Sequence, residues 1–506
     1  MFVHQKCQTY WRDLLEKAER FLGSLNDVQA AEVADFDHSG HPRDFMIDRK
    51  KLFIKRIMLL VMRSDLAMER NKIKEQIFRC IRDFYKKEVD KKFSRGGYRV
   101  QYAGALYDEH EILAMVDSIL NGWFGLGRKG REFELMFSKY LGVTRTILTN
   151  SGSSASLLAM AALVAPDFHG HLKKGDEVIT PAMTFPTTFN SIIQNNLMPV
   201  LLDVELGSYN IDPYDLEKAL SRRTRAIFLP HAFGIPNEMD VIMEFAEKHD
   251  LYVIEDNCDA LGSVYNGKKT GSFGLLSTSS FYPAHHITMG EGGAVSIRDD
   301  DINLYRIIRS LRDWGRACYC EHDETNPNGA CGKRFSFKIG GIPYDHRYIY
   351  THIGYNLKPL EFQAAMGIEQ LKKLPQFIEK RRSNFKMLYE TLQKYEKYFI
   401  LPSWPSKSFP SWFCFPLTIR DEAPFSRRDI TLFLEKNGIQ TRLFFAGNIT
   451  RQPAYRHILW RTVGKLSNCD KIMKDSFFIG VYPGINEDKM HYVIGMIEKF
   501  MEKYGG

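Results

Sequence analysis

The sequence contains no hydrophobic run long enough to cross a membrane. A bilayer span needs about 20 consecutive apolar residues. The best candidate, residues 52–62, is much shorter and contains Lys55 and Arg56. The first residues also lack the continuous apolar core of a secretory signal peptide. We therefore expect a cytoplasmic protein, in which the eight cysteines are free thiols or ligands rather than disulfides.

Most of the chain also lacks an excess of charge of either sign. The net charge of +8 arises almost entirely in residues 1–100, which contain 22 Lys and Arg against 15 Asp and Glu. The rest contains 47 basic against 46 acidic side chains, so the main body offers no electrostatic footprint for a nucleic acid. The basic N-terminal segment is consistent with solvated helix faces or with docking of an acidic partner.

Beyond residue 100, short strand-forming runs alternate with segments long enough for helices. The runs are 146–148, 176–179, 199–203, 226–230 and 251–254. This alternation predicts a mainly parallel α/β sheet covered on both faces. Such sheets bind ligands beyond the carboxyl ends of their strands.

The charge distribution and the spacing of apolar residues along the chain predict three domains. Residues 1–95 form a basic helical extension, in which apolar spacings of three and four predict a helix from Leu66 to about Lys92. Residues 96–380 form a large domain, and residues 381–506 form a smaller α+β domain.

A turn rich in glycine and serine follows the first predicted strand. Residues 150–155 read Asn-Ser-Gly-Ser-Ser-Ala and precede an apolar helix at 157–164. Backbone N–H groups and small hydroxyls at a helix start suit a phosphate dianion. An ordinary helix N-cap uses the same residue types, so the turn alone leaves both interpretations open.

Five motifs in a fixed order resemble the DegT/DnrJ/StrS family of sugar aminotransferases. The motifs are the Ser-Gly-Ser-Ser turn at 151–154, Thr184-Phe185, Glu255-Asp256, the segment 280–293 and Gly-Tyr-Asn-Leu at 354–357. The resemblance runs from about Tyr102 to Tyr482. It implies the fold type I (aspartate aminotransferase-like) architecture of pyridoxal phosphate-dependent enzymes, with a large sheet domain and a smaller C-terminal domain.

The resemblance also implies which residues hold the cofactor. Gly152, Ser153 and Ser280 would bind its phosphate. Phe185 would stack on the pyridine ring, and Asp256 would pair with the ring nitrogen, which keeps the ring an electron sink.

Asn356 belongs to the last of the five motifs. By resemblance it would reach the cofactor phosphate of a neighbouring subunit. This implies an obligate homodimer.

The lysine that binds pyridoxal phosphate covalently in this family is absent. The motif from Ser280 reads Ser-Phe-Tyr-Pro-Ala-His and ends at His285. An imidazole cannot form the covalent bond, but it transfers protons near neutral pH. The sequence around His285 resembles that of the family's sugar-nucleotide 3-dehydrases. This resemblance implies that pyridoxamine or pyridoxal phosphate is bound non-covalently and that His285 is the proton-transfer catalyst. The alternatives are an inactive, cofactor-binding partner protein, or a transaminase that uses another lysine.

Four cysteines follow the spacing C-x59-C-x-C-x10-C: Cys258, Cys318, Cys320 and Cys331. The spacing resembles that of the 2Fe–2S branch of these dehydrases, and four thiolates suit such a cluster. Structural zinc prefers pairs separated by two to four residues; it remains an alternative, as do unliganded thiols. The other four cysteines show no ligand spacing: Cys7, Cys80, Cys414 and Cys469.

The same resemblance implies a substrate and a protein partner. The substrate would be CDP-4-dehydro-6-deoxyglucose, in the biosynthesis of 3,6-dideoxysugars and lipopolysaccharide O-antigen, with a TDP- or GDP-linked sugar as the alternative. The turn at 123–128 and the segment 442–453 are candidate contacts for the nucleotide. Because the chain has no dinucleotide-binding fingerprint, electrons would come from a separate NAD(P)H-dependent flavin iron–sulfur reductase.

Overall fold

The computed structural model describes residues 67–86, 100–320 and 331–504. The chain divides into two compact units, Met1–Val89 and Asp90–Gly506. In the first unit residues 67–86 are helical, which agrees with the predicted helix over the part described. Residues 1–65, with Cys7, lie outside the described residues, as do the two ends of that predicted helix.

The strands of the second unit form one large sheet and three small ones. In chain order they are β1 (Arg145–Thr149), β2 (Glu177–Pro181), β3 (Met198–Leu202), β4 (Thr224–Pro230), β5 (Tyr252–Asp256), β6 (Val264–Tyr265), β7 (Lys268–Lys269), β8 (Leu276–Ser280), β9 (Gly293–Ile297), β10 (Phe337–Ile339), β11 (Ile342–Tyr344), β12 (Phe399–Ile400), β13 (Ser408–Phe409), β14 (Cys414–Ile419), β15 (Arg461–Thr462) and β16 (Ser476–Gly480).

The large sheet has the strand order β1-β9-β8-β5-β4-β2-β3-β15. Only β9 runs against its neighbours; the other pairings are parallel. All five predicted strands are present in it. Interior strands such as β2 and β8 are buried along their whole length, as expected for a sheet covered on both faces.

The described helices of this unit are α1 (Glu109–Leu120), α2 (Arg128–Leu141), α3 (Gly152–Leu163), α4 (Pro186–Gln194), α5 (Leu216–Ala219), α6 (Met239–Lys248), α7 (Ile302–Arg312), α8 (Glu361–Leu392), α9 (Arg427–Lys436), α10 (Ser467–Asp475) and α11 (Glu487–Met501). Helices α2 to α7 contact strands of the large sheet. Helix α3 packs on β8 and β9, while α2 packs on β1 and on the long α8. Ala155, Ala159 and Ala162 are fully buried, so α3 can lie close to the strands that carry the site.

The C-terminal residues combine an antiparallel sheet, β12-β14-β16, with α9, α10 and α11. The predicted domain boundary at 380/381 falls inside α8, and β15 extends the large sheet by pairing with β3. The three-domain division stays a prediction. In the part of the chain that the structure describes, no helix is both long and apolar enough to span a membrane.

Candidate active site

A cavity of about 410 Å³ lies beyond the carboxyl ends of β1, β2, β5 and β8. Its lining includes six of the seven predicted cofactor and catalytic residues: Gly152, Ser153, Phe185, Asp256, Ser280 and His285. Parallel strands end at the same edge of a sheet, which is why motifs more than 100 residues apart meet here. Asn356 is not part of this lining.

One end of the cavity is formed by the start of α3. Ser151 is the N-cap, and its hydroxyl accepts a hydrogen bond from the Ser154 N–H at 3.1 Å. The turn is thus an ordinary N-cap, but this does not consume the first N–H groups of the helix. Gly152 and Ser153 line the cavity beside Ser280, so the positive end of the helix dipole faces the opening, as a bound phosphate requires.

Gly152 is required by the close approach of Ser280. A Cβ atom at position 152 would lie 2.5 Å from the Ser280 Cβ. Gly293 pairs with both Thr149 and Ser280 in the sheet, and a Cβ there would lie 2.3 Å from the Ser151 carbonyl carbon. The glycines therefore allow two strand ends and a helix start to share one narrow space.

The Gly152 contact can be tested directly. We expect Gly152→Ala to raise the Kd for pyridoxal phosphate at least about tenfold, a loss of about 1.4 kcal/mol, because the new methyl group must displace Ser280 or the helix start. Gly495→Ala in α11 is the matched control, since a Cβ at that position meets no atom within 4 Å. An unchanged Kd for Gly152→Ala, measured by equilibrium dialysis, would contradict the predicted phosphate site at Gly152, Ser153 and Ser280.

Asp256 faces the cavity from the end of β5 and is oriented by two hydrogen bonds. The Thr188 hydroxyl donates to it at 2.7 Å, and the Cys258 N–H donates at 3.2 Å. These donors hold the carboxylate in one orientation. Phe185 also lines the cavity; it is half exposed and packs edge-on to Phe445 at 5.8 Å between ring centroids.

Glu255 precedes Asp256 in the motif but belongs to the interior. Its carboxylate accepts hydrogen bonds from the N–H groups of Gly271, Phe273 and Gly274, and it contacts His231 Nε2 at 2.9 Å. The residue is fully buried. Its role is therefore to hold the loop before β8 and not to contact a ligand.

His285 sits at the other side of the cavity, 3.5 Å from Asp259 between Nδ1 and Oδ1. Burial lowers the pKa of His285 to about 4, and the charge of Arg381 lowers it in the same direction. Burial raises the pKa of Asp259 to about 8, and the charge of Asp256 adds to this. Near pH 7 the imidazole is thus unprotonated and able to accept a proton.

Arg381 fixes the position of His285 through the backbone. Its guanidinium is buried and donates to the carbonyl of His285 at 3.0 Å and to those of Trp412 and Phe413 at 3.2 and 3.1 Å. The neighbouring His286 is buried outside the cavity, with Nε2 3.3 Å from the Ser411 carbonyl oxygen. Only the first histidine of the pair is therefore placed for catalysis.

The hydroxyl of Thr184 is a further group of the lining that is available to bind a phosphorylated pyridine cofactor. The Thr184 hydroxyl lines the cavity, is buried and has no hydrogen-bond partner among the described residues. A buried hydroxyl without a partner is costly, so a ligand that supplies one stabilises the site. The cavity therefore offers hydrogen-bond donors at the start of α3, beside Gly152, and a hydrogen-bond acceptor in the carboxylate of Asp256.

Asn356 is exposed and precedes Leu357, whose carbonyl accepts a hydrogen bond from the Asn150 N–H at 2.7 Å. It bridges Asp313 in an antiparallel pair, and its side-chain oxygen accepts a hydrogen bond from Lys358 at 2.9 Å. Its predicted contact with a neighbouring subunit stays a prediction.

A second cavity, of about 260 Å³, is strongly basic and reaches two of the predicted cluster ligands. Cys318 and Cys320 line it, with Arg309, Arg316, Arg347 and Lys358 among the cationic groups. The predicted nucleotide contacts are divided between the two cavities. Trp123, Gly125, Leu126 and Gly127 line this one, whereas Arg442, Leu443 and Phe445 line the first.

The structure shows part of the surroundings of the four predicted cluster cysteines. Cys258 lines the first cavity with Asp256 and His285. Cys320 and Cys331 both lie close to a histidine that has no motif in the sequence, His346. The assignment of the four cysteines to one cluster stays a prediction.

Three residues that contact predicted site residues were not predicted from the sequence: Asp259 and Arg381, which contact His285, and His346, which contacts Cys320 and Cys331. Asp259 could have been identified from the sequence, because it directly follows Cys258 in the segment Asp-Asn-Cys-Asp at 256–259. The other two lie in segments without a motif and come to their sites only through tertiary packing.

The chain has clear relatives among known proteins. Residues 106–498 match the model of the DegT/DnrJ/EryC1/StrS aminotransferase family. A dTDP-4-dehydro-2,6-dideoxy-D-glucose 3-dehydratase from Saccharopolyspora spinosa is 44% identical over 433 residues, which cover 85% of this chain and 92% of that protein. The lipopolysaccharide biosynthesis protein RfbH of Salmonella typhimurium is 43% identical over 437 residues, covering 86% and 99%.

A solved structure shows the same architecture. It is an E. coli GDP-4-keto-6-deoxy-D-mannose-3-dehydratase with bound hydrated PLP, which matches 79% of this chain and 100% of its own with a TM-score of 0.70 and 28% identity. The predicted α/β fold type I class is confirmed.

Proposed function

Because the chain belongs to the DegT/DnrJ/EryC1/StrS aminotransferase family, we propose that it removes the C3 hydroxyl of a nucleotide-linked 4-keto-6-deoxyhexose with a pyridoxamine phosphate cofactor held without a covalent bond. One observation carries the proposal. His285 occupies the position of the family's lysine and lines the cavity, and none of the residues that form this lining is a lysine. A transaminase that uses a substitute lysine therefore finds no support in the cavity.

The bound cofactor would supply an electron sink next to the sugar C4. Gly152, Ser153 and Ser280 would hold its phosphate, and Asp256 would hold the ring nitrogen protonated. His285, unprotonated near pH 7, would accept the proton at C4′ of the cofactor. The resulting imidazolium can return that proton to the C3 hydroxyl, which departs as water.

The nucleotide of the substrate is part of the proposal. The similar enzymes are named for dTDP-linked and GDP-linked sugars, while our sequence prediction is a CDP-linked sugar. We propose a role in deoxysugar and lipopolysaccharide biosynthesis, which the similarity to RfbH supports. Incubating the purified protein with pyridoxamine phosphate and the CDP-, TDP- or GDP-linked 4-keto sugar tests all three. Release of the C3 oxygen to solvent from any one of them, seen by mass spectrometry as loss of an ¹⁸O label placed at C3, is the expected result, and transamination at C4 with the label retained would overturn the proposal.

The value of kcat/KM for dehydration is expected to change little with pH across the range in which an ordinary histidine titrates. With its pKa lowered to about 4, His285 remains unprotonated from pH 7.5 down to pH 5.5. A histidine with a pKa near 6.5 would lose about tenfold of its basic form over that interval. We expect kcat/KM at saturating cofactor to change less than about twofold over that range. A fall centred near pH 6.5 would be inconsistent with a desolvated His285.

We also propose that the cysteines hold a 2Fe–2S cluster that passes single electrons from a separate NAD(P)H-dependent flavin iron–sulfur reductase. The clustering of Cys320 and Cys331 in the described structure supports a metal centre. Docking of an acidic reductase on the basic N-terminal segment is part of the proposal, although residues 1–65 lie outside the described residues.

A homodimer with shared sites makes a specific prediction. If Asn356 completes the phosphate site of a neighbouring subunit, Asn356→Ala and His285→Ala proteins are each inactive alone. Mixing them under conditions that exchange subunits is expected to restore up to about one quarter of wild-type activity, because one site of each heterodimer regains both residues. Absence of complementation in a mixture shown by mass spectrometry to contain heterodimers would contradict the shared site.

A further inference from the structure

His352 joins three segments of the chain through its imidazole ring. Its Nε2 lies 2.8 Å from the Asp167 carboxylate in the loop after α3, and its Nδ1 lies 2.8 Å from the Ser310 hydroxyl in α7. His352 itself stands just before the motif at 354–357. Only 5% of its side chain is exposed. A buried ring that is hydrogen-bonded at both nitrogens holds these three segments in one arrangement.

The serine, histidine and aspartate of this group do not form a nucleophilic site. Ser310 is only 2% exposed, so its hydroxyl is closed to a substrate, which a nucleophile must reach. Because a carboxylate only accepts hydrogen bonds, Nε2 of the neutral ring carries the proton that Asp167 accepts, and Nδ1 accepts the proton of the Ser310 hydroxyl. The ring therefore acts as a link between segments.

The backbone around His352 crosses the turn that follows α7 without free space. The His352 N–H donates to the Gly315 carbonyl at 3.3 Å. A Cβ atom at Gly315 would lie 1.9 Å from the His352 carbonyl oxygen, and one at Gly354 would lie 2.2 Å from the Gly315 nitrogen. Because the two segments are in direct backbone contact, a shift of His352 moves the residues that follow it.

The segment that begins at His352 ends against the predicted phosphate site. The Leu357 N–H donates to the Arg312 carbonyl at the end of α7 at 3.1 Å, and the Leu357 carbonyl accepts from the Asn150 N–H at 2.7 Å. Asn150 directly precedes Ser151, the N-cap of α3. The position of the turn at 150–153 therefore depends on the segment 352–357 as well as on α3.

From these contacts we propose that His352 is a positioning residue for the phosphate group of the cofactor. By holding the segment 352–357 against α7 through Ser310, it fixes the Leu357 carbonyl and thereby the turn that carries Gly152 and Ser153. His352 is not part of the cavity lining, so it acts through the backbone. Donors that bind an anion have to be held in place by such supporting contacts. The identity of the bound group as the cofactor phosphate rests on the proposed function.

Two ligands that differ only in the phosphate group, pyridoxamine phosphate and pyridoxamine, test this role. Equilibrium dialysis with the full-length protein gives the Kd of each. We expect His352→Phe, which fills a similar space without hydrogen bonds, to raise the Kd for pyridoxamine phosphate at least about fivefold, or about 1 kcal/mol. The Kd for pyridoxamine should stay within about twofold of the wild-type value. The ³¹P resonance of bound pyridoxamine phosphate should also shift, because the donors around the phosphate have moved.

Two variants are matched controls. Asparagine at position 352 places an amide oxygen where the ring has Nδ1, so His352→Asn keeps an acceptor for Ser310. It loses only the bond to Asp167, whose half-exposed carboxylate contributes little. Its Kd for pyridoxamine phosphate should stay within about twofold of the wild-type value. His249→Phe removes a histidine that lies 3.5 Å from Glu217, and it should leave both dissociation constants unchanged.

The possible failures have different meanings. An unchanged Kd for pyridoxamine phosphate in His352→Phe, an equal loss of affinity for both ligands, or no recovery in His352→Asn would overturn the positioning role. If thermal melting shows that His352→Phe does not fold, Ser310→Ala removes the same hydrogen bond with a smaller change of volume, and the same pair of dissociation constants decides. A wild-type protein that binds no pyridoxamine phosphate would instead contradict the proposed function.

Discussion

Replacing His285 with Asn is expected to lower the rate of C3 dehydration by about 10²–10⁴-fold, the contribution of a general acid–base group. Asparagine is close in size to the imidazole but cannot take a proton. The cofactor should remain bound, since its predicted phosphate contacts come from Gly152, Ser153 and Ser280 and not from position 285. Single-turnover measurements with pre-bound pyridoxamine phosphate separate the chemical step from cofactor binding.

The substitution His285→Lys provides the matching gain of function. In the wild type, pyridoxal phosphate should leave no labelled peptide after borohydride treatment, because none of the described residues that line the cavity is a lysine. The lysine variant should bind pyridoxal phosphate covalently and yield a labelled peptide that contains residue 285, while dehydration is lost. A labelled peptide from the wild-type protein would contradict the non-covalent site.

Replacing Cys318 with Ser is expected to abolish reduction of the dehydrated intermediate while C3 dehydration largely survives. Anaerobically purified wild-type protein should contain about two irons and two sulfides per chain, and the variant about none. The two proposed half-reactions should separate, because dehydration would use His285 and the cofactor, whereas Cys318 lies at the second, basic cavity.

Cys80→Ser is the control for this second prediction. Cys80 is exposed on the helix at residues 67–86, in the other compact unit of the chain. Its replacement should leave the iron content unchanged. Parallel loss of dehydration and reduction in Cys318→Ser, with a lowered melting temperature, would show instead that the thiol is needed for folding.

The surroundings of the cysteines bear on the proposed electron delivery. A cluster that included Cys258 would adjoin Asp256 at the end of β5. Cys320 and Cys331 contact His346, and Cys318 and Cys320 line a basic cavity next to the segment that contains Asn356. The cationic surroundings suit an acidic electron donor, since opposite charges steer association.

The sequence alone determined the strands, the glycine–serine turn and the replacement of the lysine by His285. Each of these is encoded in a short stretch: apolar runs for β1 to β5, the glycine and serines at 150–155, and one residue identity at 285. Local patterns of this kind require no knowledge of distant neighbours. The family resemblance then gave the residues of the cofactor cavity, six of which the fold brings together.

Only the tertiary structure decided the pKa of His285 and which residues contact the cysteines. The pKa of an imidazole depends on how far its surroundings exclude water, and here Asp259 and Arg381 reach it from separate parts of the chain. In the same way, Cys320 meets His346 because two segments pair in antiparallel register. Cysteine spacing counts residues along the chain, whereas ligation depends on distances across it. A spacing pattern therefore singled out Cys320 and Cys331 but could not identify the imidazole that the fold places beside them.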